Sequence, residues 1–158
     1  MMNLEKQVDT LMRLCTADRE ADRSVLREEL KKMLEYNRLG FDPEQELRKI
    51  LLELGSPDHL VGHPYVIRAI LLVVGDQLYI NHITFGLYPQ LAVEFDTTPA
   101  RVERAIRHLI EVTWDRGDLD VLNRYFGNTV SASRGKPTNG EFIARIANVI
   151  RDRMKYAA

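Results

Sequence analysis

Apolar residues recur along most of this chain with the spacing of an α-helix. Near the N-terminus, Leu4, Val8, Leu11 and Cys15 follow one another at steps of three or four positions, which places them on one helical face. The segments that follow repeat this spacing, and none shows the sustained alternation that is typical of a β-strand. The pattern predicts an all-α protein of about eight helices.

Residues that favour helix ends divide the pattern into elements. Asp42 followed by Pro43 predicts a helix start, and Gly55 predicts its end. Pro64 predicts the first position of the next helix, whose almost continuous apolar sequence is typical of the most buried helix of a bundle. Pro89 predicts that residues 81–95 form two short helices, because proline disturbs a helix interior.

The last helices have equally clear boundaries. Thr98 and Gly117 are expected to cap a helix that begins at Pro99. After a short helix over residues 118–126 and a polar loop, Thr138 and Glu141 have the spacing of a capping box that opens the final helix.

A change of composition near residues 38–44 predicts two parts. Residues 1–40 form an N-terminal helical extension of two helices, and residues 43–158 form a bundle of about six helices. The leucine-rich faces of the extension either meet in a homodimer or fold back on the bundle as a hairpin, and the pattern favours neither.

The helix predicted from Pro99 has two sharply different faces. At 100° per residue, six residues lie on an arc from about 120° to 240° and predict a packing face: Val102, Ala105, Ile106, Leu109, Val112 and Thr113. The opposite arc is polar and rich in arginine: Arg101, Glu103, Arg104, Arg107, His108 and Glu111. Such a face is typical either of an ordinary solvated helix or of a helix that contacts DNA.

The segment before this helix favours DNA contact. A short helix and a tight turn precede the capped basic helix, which is the order of elements in a helix-turn-helix. The second helix, roughly 25 Å long, has a suitable size for the major groove. Arginine can bond guanine O6 and N7 together, glutamate can accept from cytosine N4, and Glu103 can also pair with Arg107 four positions later.

Composition and charge limit the other functions. The net charge is −1, but residues 1–60 carry a balance of −3 and residues 97–158 a balance of +4, which places an anionic partner at the C-terminal half. The single Cys15, the absence of an 18-residue apolar run and the absence of a signal sequence lead us to expect a cytoplasmic protein with no membrane partner.

No pattern of catalytic residues predicts an enzyme, and no cofactor is expected. His59 and His63 are four positions apart, but no carboxylate completes a set of ligands. No metal site is therefore predicted.

Three segments resemble a known family. "GLYPQLAVEFDTTPARVERAIRHLIEVTWDRGDLD", "FGNTVSASRGKPTNGEFIA" and, more loosely, "ILLELGSPDHLVGHPYVIRAI" are similar to the C-terminal DNA-binding domain of the sporulation stage-zero master response regulator of spore-forming Firmicutes. The resemblance covers about two-thirds of the chain. It implies a six-helix bundle that carries a helix-turn-helix, binds double-stranded DNA at boxes similar to TGTCGAA and regulates transcription.

The resemblance also implies roles for particular residues. Glu103 and Arg104 would recognise bases, Arg101 and Arg107 would contact phosphates or flanking bases, and His108 lies on the same face. Lys155 would reach DNA from the last helix. The loop that runs from Phe126 to Val130 corresponds to a region that contacts the sigma subunit of RNA polymerase.

One departure from the family bears on regulation. In the full-length regulator this domain follows a phosphoacceptor receiver of roughly 120 residues, and about 45 residues precede it here. Phosphorylation control is therefore not expected. The leading hypothesis is a DNA-binding transcription regulator without a receiver. The alternative is a protein-interaction module that regulates by pairing with a full-length regulator or another protein.

Overall fold

The computed structural model describes residues 40–127 and 135–157, together with residues 27, 28 and 31. These parts contain helices and no β-strand, so the predicted all-α class is confirmed. In chain order the elements are α1 (Pro43–Glu53), α2 (Gly62–Gly75), α3 (Leu78–Asn81), a π-helical turn (Ile83–Leu87), α4 (Tyr88–Glu94), α5 (Pro99–Arg116), α6 (Leu119–Phe126) and α7 (Asn139–Ala157).

Most of the predicted caps form. The Asp42 carboxylate accepts hydrogen bonds from the backbone N–H groups of Glu44 and Gln45, at 2.9 and 3.2 Å. Gly55 takes a positive φ of 75° just after α1, as glycine does readily beyond a helix end. The two partners of the Thr138–Glu141 capping box bond each other at 2.8 and 3.2 Å, which fixes the start of α7.

The start of α2 differs from the prediction. The helix begins at Gly62 rather than at Pro64, and the N–H of His63 donates to the carbonyl of Leu60 at 2.9 Å. Proline remains compatible with this start, because the first N–H groups of a helix have no intrahelical acceptor. The predicted burial of this helix is confirmed, since eight of its 14 residues are buried.

Residues 81–95 are divided as predicted, with a π-helical turn at the division. The N–H of Leu87 donates to the carbonyl of His82, five positions earlier, at 3.0 Å. Pro89 stands at the second position of α4. Proline has no backbone N–H, and at this position the helix does not need one.

The core lies where α2 packs against α5 and α7. At one end of α5, Trp114 packs edge-on against Phe126 and Phe142, with ring centroids 5.0 and 6.1 Å apart. Phe126 and Phe142 are stacked at 5.3 Å. Trp114 therefore packs into the core from the end of α5.

Gly62 allows α2 to approach the backbone of α5 closely. A Cβ atom at this position would lie 2.2 Å from the carbonyl oxygen of Ala105. Since no side chain fits into that space, the glycine determines how near the start of α2 comes to the middle of α5.

The predicted N-terminal helices lie almost wholly outside the described residues. Arg27, Glu28 and Lys31 are the exceptions; all three are helical and exposed. The polar loop after α6 is described only at its ends, because residues 128–134 are outside the described ranges.

Candidate nucleic-acid interface

α4, a tight turn and α5 form a helix-turn-helix. α4 ends in a Schellman motif, in which the N–H of Thr97 donates to the carbonyl of Ala92 at 2.9 Å. Asp96 occupies the left-handed position of this motif with a φ of 49°, and aspartate tolerates that region better than most residues other than glycine. The Oγ1 of Thr98 then accepts from the N–H of Arg101 at 3.4 Å and starts α5.

The packing face of α5 is close to the predicted one. Its buried residues are Val102, Ile106, Leu109, Ile110 and Thr113. Ile110 is 2% exposed although the predicted arc omitted it, and Ala105 and Val112 are only partly buried. The hydroxyl of Thr113 is the polar side-chain group buried on this face. It donates a hydrogen bond to the carbonyl of Leu109 at 2.7 Å and is therefore satisfied.

The opposite face of α5 is open to solvent. Arg101, Arg104, Arg107 and His108 are exposed, whereas Glu103 and Glu111 are partly buried. The carboxylate of Glu103 pairs with the guanidinium of Arg107, as the four-residue spacing predicted. Among the described residues, no acidic side chain forms an ion pair with Arg101, Arg104 or His108. These three donors are available to an outside partner.

A groove of about 810 Å³ runs along one flank of this face. Glu103, Arg107 and Glu111 of α5 line one side, and Lys136 and Asn139 line the other. The groove thus lies between α5 and the segment that leads into α7.

Asn139 connects three elements across this groove. Its side-chain N–H₂ group donates to the backbone carbonyl of Glu103 and to the hydroxyl of Tyr88, each at 3.0 Å. Burial raises the pKa of Tyr88, although the Asn139 hydrogen bond and the charge of Arg107 oppose the increase. Asn139 therefore holds α5 in place against α4 and α7.

Sequence reasoning did not find the roles of Asn139 and Lys136. The two residues belong to the "KPTNG" segment, which contributed to the family resemblance but carried no assigned role. Their partners on α5 lie 36 and 25 positions earlier, so helical periodicity gives no signal of either contact.

A comparison with known protein families supplies the decisive observation. The family described as sporulation initiation factor Spo0A C terminal matches residues 47–150, about two-thirds of the chain. The chain belongs to this family. The Spo0A C-terminal domain is a DNA-binding effector domain and not a known enzyme family, so the chain is a DNA-binding protein of sporulation transcription regulation.

The match to the Spo0A C-terminal family includes the whole helix-turn-helix, since it runs from Leu47 in α1 to Ile150 in α7. In the described part of the chain, no helix is both long and apolar enough to cross a membrane.

Two other residues singled out from the family resemblance lie away from the exposed face of α5. Lys155 is exposed in the last turn of α7, 3.9 Å from Asp152. It stands 16 positions after Asn139, which is about 24 Å along the helix, so the structure does not bring it into one cluster with the α5 residues.

The side chain of Phe126 lies in the core. It is 2% exposed and forms part of the aromatic core with Trp114 and Phe142. The ring therefore has a packing role, and a contact between the loop from Phe126 to Val130 and polymerase stays a prediction. Val130 lies outside the described residues.

Proposed function

We propose that this protein binds specific sequences of double-stranded DNA by inserting α5 into the major groove. The observation that carries the proposal is the exposed face of α5, on which Arg101, Arg104 and His108 have no ion-pair partner among the described residues. An 18-residue helix about 27 Å long, presented by a helix-turn-helix, fits this mode of binding.

Arg104 is the first candidate for base recognition. It lies near the start of α5, directly opposite the buried face, and helix-turn-helix proteins contact base edges with this part of the second helix. Its guanidinium can donate to guanine O6 and N7 together. Glu103 can accept from cytosine N4, and Arg107 then loses its partner on α5 and becomes available to a phosphate.

The remaining basic residues would fix the position of the helix on the duplex. Arg101, Arg107 and His108 lie beside the proposed base-contacting residues, where phosphate contacts determine orientation without selecting a sequence. Lys155 would reach the DNA backbone separately, from the end of α7.

Two further partners rest on the resemblance and on the sequence pattern. One is the sigma subunit of RNA polymerase, bound by the loop that runs from Phe126 to Val130. The other is a second copy of this chain, bound through the leucine-rich faces of residues 1–40. A protein that sediments as a monomer at micromolar concentration would contradict the homodimer. The proposed place of action is the cytoplasm, where the chromosome lies.

Fluorescence anisotropy tests the main proposal. A labelled duplex with a box similar to TGTCGAA is compared with a scrambled duplex at two salt concentrations. We expect at least a tenfold preference for the box, equivalent to about 1.4 kcal/mol. Equal, salt-sensitive affinity for both duplexes would contradict base recognition and would turn attention to the alternative role as a protein-interaction module.

A further inference from the structure

The flanks of α5 determine which other residues meet DNA. A helix of about 10–12 Å diameter fills a major groove about 12 Å wide, so a phosphate strand runs along each of its sides. At 100° per residue, Arg101 and His108 lie on one side of Arg104, and Glu103 and Arg107 lie on the other. The second side is the one that faces the groove described above.

Lys136 stands on the outer wall of this groove. Its ammonium group bonds the carboxylate of Glu111 at 3.0 Å, and its side chain is 48% exposed. Glu111 lies two helical turns beyond Arg104 and on the same side of α5. The ammonium is therefore held next to the face that would enter the major groove.

The segment that carries Lys136 is fixed in place. Pro137 is buried, and the capping box of Thr138 holds the next residue at the start of α7. Asn139 then bonds the backbone of Glu103, which ties this segment to α5 itself. Lys136 is consequently presented from a rigid position, which reduces the conformational entropy lost when it binds.

We propose that Lys136 binds a phosphate of the DNA backbone, and that the groove between α5 and residues 136–140 receives one sugar–phosphate strand. This inference rests on the proposed function. The ion pair with Glu111 is partly exposed and hence weak, so the ammonium can exchange that carboxylate for a phosphate. Because phosphates are present at every position of DNA, this contact adds affinity without adding sequence preference.

A salt titration of Lys136→Ala tests the contact. The affinities of the wild type and the variant for matched and scrambled duplexes are measured between 50 and 200 mM salt. One lost phosphate contact lowers the slope of log affinity against log salt by about 0.9, so the wild type should lose about 3.5-fold more affinity than the variant over this range. The preference for the matched duplex should remain unchanged.

Lys49→Ala is the matched control. Lys49 is an exposed lysine that pairs with Glu46 at 3.4 Å, but it lies on α1 instead of beside α5. Lys49→Ala changes the net charge by the same amount as Lys136→Ala, and it should leave the slope of log affinity against log salt at the wild-type value. Equal slope changes in both variants would overturn the inference, because they would show a general charge effect. A wild-type slope in Lys136→Ala would also overturn it.

A second variant tests the same contact while Lys136 stays in place, so a change of the groove caused by Lys136→Ala cannot explain its result. Glu111→Gln removes the carboxylate that holds Lys136, and we expect tighter binding to both duplexes. The gain should be smaller when Lys136 is already alanine, because part of it comes from releasing the ammonium. An equal gain in the two backgrounds would count against the contact.

The two proposals can fail separately. If the wild type prefers the box while Lys136→Ala retains the full slope, only the phosphate contact is wrong. If the wild type shows no box preference, sequence-specific binding is wrong whatever the slope. Circular dichroism of each variant verifies that the bundle is folded.

Discussion

At the scale of single residues, chemically identical side chains on α5 have different surroundings. Arg107 pairs with Glu103, whereas Arg104 faces solvent with no ion-pair partner in the described residues. The sequence identified both arginines and also their faces, since helical periodicity is a local property. It predicted the Glu103–Arg107 pair from spacing alone, and the structure confirms that pair.

Replacing Arg104 with alanine should weaken binding to the matched duplex by about 1–3 kcal/mol and relax the preference at one base position. The physical reason is the loss of a bidentate donor to guanine. Anisotropy with single-base variants of the box measures both effects. Arg48→Ala, which removes an exposed arginine of α1, is the control and should change neither. Equal losses on matched and scrambled duplexes would contradict base recognition by Arg104.

At the scale of elements, close packing between helices positions the exposed face. The approach of α2 to α5 depends on Gly62, whose absent side chain leaves room for the carbonyl of Ala105. The sequence placed the start of α2 at Pro64, two residues too late. Backbone contacts with a helix more than 40 positions away cannot be inferred from a local proline rule.

Gly62→Ala should lower the free energy of unfolding by about 1–3 kcal/mol, because an added Cβ would force α2 away from α5. Urea denaturation measures the change. Gly75→Ala is the matched control at the other end of α2, where an added Cβ meets nothing within 4 Å. It should be neutral or slightly stabilising. A Gly62→Ala protein as stable as the wild type would show that the helices separate without penalty.

At the scale of the whole molecule, burial of His63 couples stability to pH. Desolvation is the main cause that lowers the pKa of His63, and the charge of Arg48 lowers it further, while Asp58 opposes the shift. Its Nδ1 atom is buried without a hydrogen-bond partner in the described part of the chain. The folded protein therefore favours the neutral imidazole.

The free energy of unfolding should decrease as the pH falls below about 6.5, the pKa of an unfolded histidine. Below this pH the unfolded chain binds a proton at His63 before the folded chain does. The stability that the neutral His63 contributes is therefore fully present above about pH 6.5, and it is lost as the pH falls through the pKa of His63 in the folded protein. Urea denaturation between pH 7 and pH 5 measures the trend. His63→Gln should flatten it.

His59→Gln provides the control for this trend, since His59 is an exposed histidine four positions earlier. We expect it to retain the wild-type dependence on pH. A dependence that is unchanged in His63→Gln would assign the effect to other groups.

The sequence by itself determined the local features of this protein. The all-α class, the caps at Asp42, Thr98 and Thr138 and the two faces of α5 follow from residues within about four positions of one another, and the structure confirms them. The motifs of the family resemblance were likewise present in the printed residues, and the family match bears them out.

Only the tertiary structure decided what lies next to these features. It placed Ile110 and the ring of Phe126 inside the core, and it brought Lys136 and Asn139 beside α5 across a groove. Each of these outcomes depends on packing between helices that are distant in the chain, and helical periodicity specifies the faces of one helix but not which neighbours cover them. The exposed face of α5 was therefore predictable, whereas the surface that surrounds it was not.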